Sequence, residues 1–195
     1  MIEKNNIAAK FQDHFLKIST ESFLKKNSLG GEIPFWISTY SPEAELEVTK
    51  AIKSLKNKLE NNGIPILEIN LYDISMQILN EQLGENAIFE IEQQMDKIEF
   101  KSALKSVLDL NEVFMPRLKS IIDTSQAKVY FITGVGTCYP FIRSHNVLNN
   151  LQNIAKVAPT VMFFPGTYTG HALNLFSLFK DDNYYRAYHI DTFKI

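Results

Sequence analysis

Between Phe35 and Leu71 the chain spells out one supersecondary unit: an apolar run, an amphipathic stretch and a second apolar run, joined by very short connections. Phe35 to Tyr40 is rich in aromatic and β-branched side chains and reads as a first strand. Ser41 then fits an N-cap and Pro42 the first helical position, with Glu43 and Glu45 near the positive end of the helix dipole. Val48, Ile52, Leu55 and Leu59 recur at helical spacing while the lysines between them face water. Gly63 stops that helix, Pro65 prevents its resumption, and residues 66–71 form a second strand. Strands joined in this way lie parallel through a right-handed crossover, which commits the chain to a sheet covered by helices.

The remainder extends this plan. Residues 7–26 read as an amphipathic helix carrying Phe11, Phe15, Ile18 and Phe23, ended by residues 27–31. Residues 73–123 look helical throughout, with ten acids and five basic residues, and divide into two to four helices broken or kinked at Gly84 and Pro116. A third strand at 128–133 leads into a helix over 140–156. A fourth at 160–164 leads into a short helix over 172–179, and 184–190 closes the chain as an alternating strand. The expected fold is one α/β domain over residues 1–195. It is a three-layer α/β/α sandwich around a mainly parallel sheet of about five strands, Rossmann-like or P-loop-like in layering, with a helical insertion at 73–123. No repeat or linker-like stretch divides it. The single cysteine, Cys138, excludes an internal disulfide, the first residues lack a signal-peptide core, and no run reaches membrane-spanning length; the chain reads as cytosolic, without a membrane partner.

From Thr124 to Lys180 there are 57 consecutive residues without Asp or Glu, where the chain's 22 acids in 195 residues predict about six. The gap contains two runs that each pass from a buried strand into a glycine-rich segment, Thr133-Gly134-Val135-Gly136-Thr137 and Gly166-Thr167-Tyr168-Thr169-Gly170-His171. Open α/β sheets place binding crevices at such carboxyl ends. These residues, with Arg143 as the charged contact, define a candidate anion-binding crevice, in which glycine lets backbone N–H groups turn toward a phosphate.

Known chemistries are harder to assemble. A Walker A motif needs Lys after its last glycine, and no Lys occurs from Val129 to Asn153. A dinucleotide fingerprint fails because Tyr139 stands where a third glycine belongs. Cys138 and Arg143 resemble a phosphatase signature one residue too short, with Pro140 removing an amide from the cradle. His14, His145, His171 and His189 are scattered without a metal-ligand partner at i+3 or i+4, although His145 and His171 flank the two glycine segments. Asp73 reads as the cap of the helix after strand two. No catalytic residue, cofactor or metal is assigned, and the near-neutral net charge of −2 does not favour nucleic acid as a direct partner.

The same segments carry a family resemblance. Pro34-Phe-Trp, residues 131–145, residues 164–171 and Tyr184-Tyr-Arg-Ala-Tyr resemble the BrxB family, small components of bacterial BREX phage-defence systems. In such systems the recognisable chemistries belong to other subunits: a DNA methyltransferase, a large P-loop ATPase, a protein of the alkaline phosphatase superfamily called PglZ, and a Lon-like protein. The resemblance brings no catalytic residues to any position here. It implies a non-catalytic adaptor whose partners are other BREX subunits, the PglZ-like protein first and the P-loop ATPase second. A nucleotide or phosphate sensor using the glycine segments is the alternative from the residues themselves, and a nucleic-acid-binding subunit is the second alternative.

Overall fold

The computed structural model describes residues 4–25, 35–84, 87–181 and 187–195. The expected crossover is present: β1 (Phe35–Tyr40), a 3-10 turn at Pro42–Ala44, α3 (Glu45–Asn61) and β2 (Ile66–Asn70). Ahead of it lie α1 (Lys4–Ile18) and α2 (Glu21–Leu24), so the helix expected over 7–26 is two helices. Thr20 separates them, its side chain accepting from the Phe23 amide as the N-cap of α2. The expected helix stop at 27–31 lies outside the described residues.

After β2 the chain forms α4 (Leu71–Leu83), α5 (Ala87–Gln94), α6 (Lys97–Val107), a π turn at Leu110–Phe114 and α7 (Met115–Asp123). Gly84 ends α4 with a positive φ of 96°, and Pro116 sits in the first turn of α7, where its missing N–H costs nothing. The cap of α4 is Asn70, whose side chain accepts from the Tyr72 and Asp73 amides; Asp73, expected as the cap, sits inside the first turn. β3 (Val129–Thr133), α8 (Ser144–Ile154) and β4 (Thr160–Tyr168) follow.

The main sheet has the order β2-β3-β4-β1-β7, all pairs parallel, with β7 (Tyr188–His189) on the far side of β1. Of the described part of the expected 184–190 strand, residues 187–190, those two are extended, and 182–186 lie outside the described residues. Phe35 pairs with Thr160 and Tyr40 with Pro165, so β1 and β4 run in register for their shared length. Period-two alternation divides the core into two. Val129, Phe131, Val161 and Phe163 join α1 and α3 on one face, whereas Tyr130, Ile132, Met162 and Phe164 join α4, α6, α7 and α8 on the other. This is the three-layer sandwich, and each fully buried Phe or Ile contributes about 1.5–3 kcal/mol to it.

One element differs outright. The short helix expected over 172–179 is instead a β-hairpin, β5 (Leu173–Leu175) and β6 (Phe179–Asp181), and β4 runs on past Phe164 to pair with β5 antiparallel. Leu173 and Leu175 are buried with Asn174 half-exposed between them, a period of two that the apolar composition of the stretch masks. Gly166 enables the pairing: a Cβ there would lie 2.1 Å from the Asn174 carbonyl oxygen. Thus Gly166 and Thr167 belong to a strand, not to a loop after strand four.

Candidate functional site

In a parallel sheet all carboxyl ends open on one edge, so both glycine segments and the end of β1 lie along the same rim. Thr133, the last residue of β3, is buried and donates from its hydroxyl to Glu68 Oε1 at 3.3 Å. Gly134 follows with φ of 70°, so close to Asn70 that a Cβ would come within 2.1 Å of its Oδ1. Gly134 thereby makes room for the side chain that caps α4.

Beyond Gly134 the second half of the loop closes on the carbonyls of the first. The Cys138 amide donates to the Gly134 carbonyl, Tyr139 to Gly136, and Phe141 and Ile142 both to Cys138. Thr137 is exposed and its hydroxyl donates back to the Gly134 carbonyl at 3.0 Å. Those donors are already engaged, and α8 begins only at Ser144, with Arg143 exposed at its N-cap, so the helix N-terminus is not at the glycines.

The two glycine segments do meet, but through packing. A Cβ on Gly136 would touch Pro165 and the Phe176 ring at 3.0 Å. Tyr139, Phe176 and Phe179 cluster over this junction, with the Tyr139 and Phe179 ring centroids 4.9 Å apart. Thr167 accepts from Asn174 Nδ2 at 3.2 Å. Gly170 has a positive φ of 89° in the β4–β5 turn and accepts from the Tyr168 hydroxyl; His171 is exposed beside it. The side chain of His145, in α8, lies outside the described residues.

A more open site lies along the rim at β1. A cavity of about 400 Å³ is enclosed by α1, the last residues of β1, the start of α3 and Asp191. Its polar wall is assembled from parts remote in sequence. Asp191 Oδ1 lies 3.3 Å from His14 Nε2, and Oδ2 lies 3.2 Å from His189 Nδ1 and 3.4 Å from Lys10 Nζ. Lys10 also donates to the Thr39 carbonyl at 2.7 Å. Behind it the buried ammonium of Lys17 donates to the Ile190 and Asp191 carbonyls and pairs with Asp13 at 2.8 Å.

Electrostatics follow from this wiring. The His14 hydrogen bond and the close approach of His189 hold the Asp191 carboxyl well below the usual carboxylate range, with Lys10 adding to the effect. Burial pushes His14 down despite Asp191, so its imidazole is neutral at pH 7 and donates from Nε2. Its Nδ1 is then a buried acceptor with no hydrogen-bond partner, which is why a second proton is unwelcome there. Burial, then the carboxylate of Glu45, raises the Tyr40 phenol, which stays protonated and donates to Glu45 at 2.8 Å.

Ser38, His14 and Asp191 lie side by side, yet the arrangement is not a charge-relay triad. Ser38 Oγ and Asp191 Oδ1 both approach the same nitrogen, Nε2, at 3.5 and 3.3 Å, whereas a relay needs acid and nucleophile on opposite nitrogens. Cys138 is buried under the glycine loop, 3.5 Å from Ser75 Oγ, and burial pushes its thiol up to about 12. Among the described residues no group of three His, Cys, Asp or Glu side chains is disposed to hold a metal ion.

Sequence reading placed the site at the glycines and left His14 and His189 as scattered. The missed signal was in α1, where His14 and Lys17 share the buried stripe of Phe11 and Ile18, an expensive position for polar groups unless partners wait there.

Residues 67–190 match the family model described as BREX protein BrxB. The chain belongs to the BrxB family. A BREX protein BrxB from Bacillus cereus (strain H3081.97) is 38% identical over 176 residues, covering 89% of this chain and 92% of its own length. A second BrxB, from Escherichia coli O9:H4 (strain HS), is 29% identical over 174 residues, covering 89% of this chain and 86% of its own. No solved structure matches. BrxB proteins are components of BREX systems, and membership supports a role for this chain in phage defence. The segment matched to BrxB holds the helical excursion α4–α7 and the glycine segments, while most of the β1 cleft is built from residues before it.

Proposed function

We propose that the chain is a non-catalytic adaptor of a BREX complex, working in the cytoplasm and joining other subunits through the α5–α6 part of the helical excursion. The observation that carries this reading is the surface of that excursion. Phe89 on α5, Met95 in the turn after it and Ile98 on α6 are exposed by 60%, 42% and 81%, and the same stretch of chain carries Glu90, Glu92, Asp96 and Glu99 against Lys97. Large apolar side chains grouped on a surface mark an interaction site, and the acidic rim selects a partner surface that is basic around an apolar recess. A parallel βαβ crossover needs one helix and the excursion supplies four, so its length exceeds what the connection alone requires. The unsuitable geometry at Ser38–His14 and the buried thiol of Cys138 support the non-catalytic part.

The PglZ-like subunit is the first partner and the P-loop ATPase the second. The test is a tagged pull-down from cells expressing the whole neighbouring operon, washed at moderate salt. A stoichiometric subunit retained by wild type and lost on Ile98→Arg together with Phe89→Ser is the expected result. Retention of no BREX subunit, or retention indifferent to both substitutions, would overturn the adaptor reading or its surface respectively.

A further inference from the structure

The cleft at the end of β1 is independent of that docking surface and has the properties of a ligand site. It opens beside the place where the connection after β1 passes to the α1/α3 face while β4 continues into the hairpin packed on the other face. Divergence of neighbouring connections at the carboxyl edge is what opens a crevice in doubly wound sheets. Its volume of about 400 Å³ suits a small molecule, and Ile7, Phe11 and Val48 give it an apolar wall.

The polar wall restricts what that molecule can be. Lys10 offers only donors and Asp191, ionised, only acceptors; they stand 3.4 Å apart, each already fixed by bonds to the protein. Two of the three Lys10 protons are accounted for by the Thr39 carbonyl and the Asp191 carboxylate, leaving one for a ligand. A rigid donor beside a rigid acceptor is complementary to a flat edge carrying an acceptor next to a donor, and little ordering is needed on binding. Asp13 is neutralised by Lys17 at 2.8 Å, so the charges that face the cleft are Lys10 and Asp191, which cancel; a phosphate meets the Asp191 carboxylate and a cation meets the Lys10 ammonium, which favours an uncharged ligand.

We propose that this cleft binds an uncharged heteroaromatic molecule of the nucleobase or nucleoside class, its donor–acceptor edge on Asp191 and Lys10 and its ring against the apolar wall. Ser41 stands at the start of the 3-10 turn without a side-chain capping bond, and its hydroxyl meets a sugar or second polar edge at the cleft.

The experiment is a ligand-observed NMR titration of the intact chain with adenosine, guanosine, cytidine and uridine, each paired with its 5′-monophosphate. The expected result is saturable binding of at least one nucleoside, with the monophosphate weaker by about tenfold or more. Intermolecular NOEs from the bound nucleoside to Ile7 and Phe11 protons place it in the cleft without any substitution. Lys10→Met removes the donor and Val48→Trp fills the space; each abolishes binding while a thermal melt shows the variant folded. Four nucleosides that fail to saturate, a monophosphate bound as tightly as its nucleoside, or NOEs to other residues would each overturn the proposal. None of these outcomes bears on the α5–α6 surface, so adaptor and ligand site fail separately.

Discussion

The carboxyl rim of the sheet contains two regions built on opposite plans. At the ends of β3 and β4 the glycines bring backbone and side chains into contact until the space between them is filled by Pro165, Phe176 and Tyr139. At the end of β1 no glycine is involved, and groups from α1, β1 and residues 189–191 converge on a cavity that stays open. The first region has the sequence signature of a site and the packing of a core. The second has hardly any local signature, because His14 and Asp191 are 177 positions apart. Glycine after a strand reports close approach, and only the structure tells whether a ligand or the protein itself does the approaching.

The acid gap illustrates the same ambiguity. β3 is buried at every position and β4 at all but Thr167, since they occupy the second and third places in a five-strand order covered on both faces. Within the gap, β3 and β4 lack carboxylates because central strands have nowhere to solvate them. The resulting polarity difference between rim and helices is real, but its origin is burial as much as recognition.

The comparison can be broken most sharply at Gly134. If the segment is packing, Gly134→Ala strikes the fold: a Cβ would lie 2.1 Å from Asn70 Oδ1 at a φ of 70° and dislodge the cap of α4. Positive φ and a lost cap together cost about 3 kcal/mol. Gly63→Ala is the matched control, with φ of 76° and nothing within 4 Å of the added carbon, and it should cost only about 1 kcal/mol. Urea unfolding of both variants measures the difference. Equal losses would mean that Gly134 is held by conformation alone and that its neighbourhood has room for a ligand.

A smaller effect sharpens the other side. The folded-state pKa values of both Asp191 and His14 are lowered, so the unfolded chain binds protons first as the solution is acidified. The stability they contribute is fully present above their unfolded values, about 6.5 for His and about 3.9 for Asp, and is lost progressively as pH falls from there toward the lowered folded values. Asp191 begins to lose its share only below about pH 5, so the stability lost between pH 7.5 and 5 comes mostly from His14. Urea midpoints at the two pH values test this, and His14→Gln should flatten the profile. A profile equally steep in that variant would show that other groups set the acid limit.

How much of this was legible follows the range of the contacts. The β1–α3–β2 unit, the buried strands β3 and β4 and the breaks at Gly63 and Gly84 were readable because caps, breakers and periodicity act within a few residues. The hairpin was not, because Leu173 to Phe179 has enough apolar residues for either period and its decisive partner is Gly166 across the strand pair. Asn70 took the capping role expected of Asp73 because the helix begins at Leu71, earlier than the strand pattern allowed. The cleft was the least legible element: its polar groups come from the first helix and the last turn, and no short-range rule couples them.

The smallest expected effect concerns Cys138, and it separates the two regions by reactivity. A thiol at the end of a glycine loop near a helix start has the outward look of an activated nucleophile. Here it lies beneath the loop against Ser75, 1% exposed, and burial outweighs the Ser75 hydrogen bond to push it up to about 12. Thiolate at pH 8 is then a minute fraction, and no reagent reaches it without opening the β3–α8 connection. Iodoacetamide should leave the native chain unmodified over the time in which the urea-unfolded chain reacts fully, and Cys138→Ala should shift stability by no more than about 1–2 kcal/mol. Rapid labelling of the native protein would mean that the loop opens readily. In that case the glycine segments, and not the cleft at β1, would be the adaptable part of the rim.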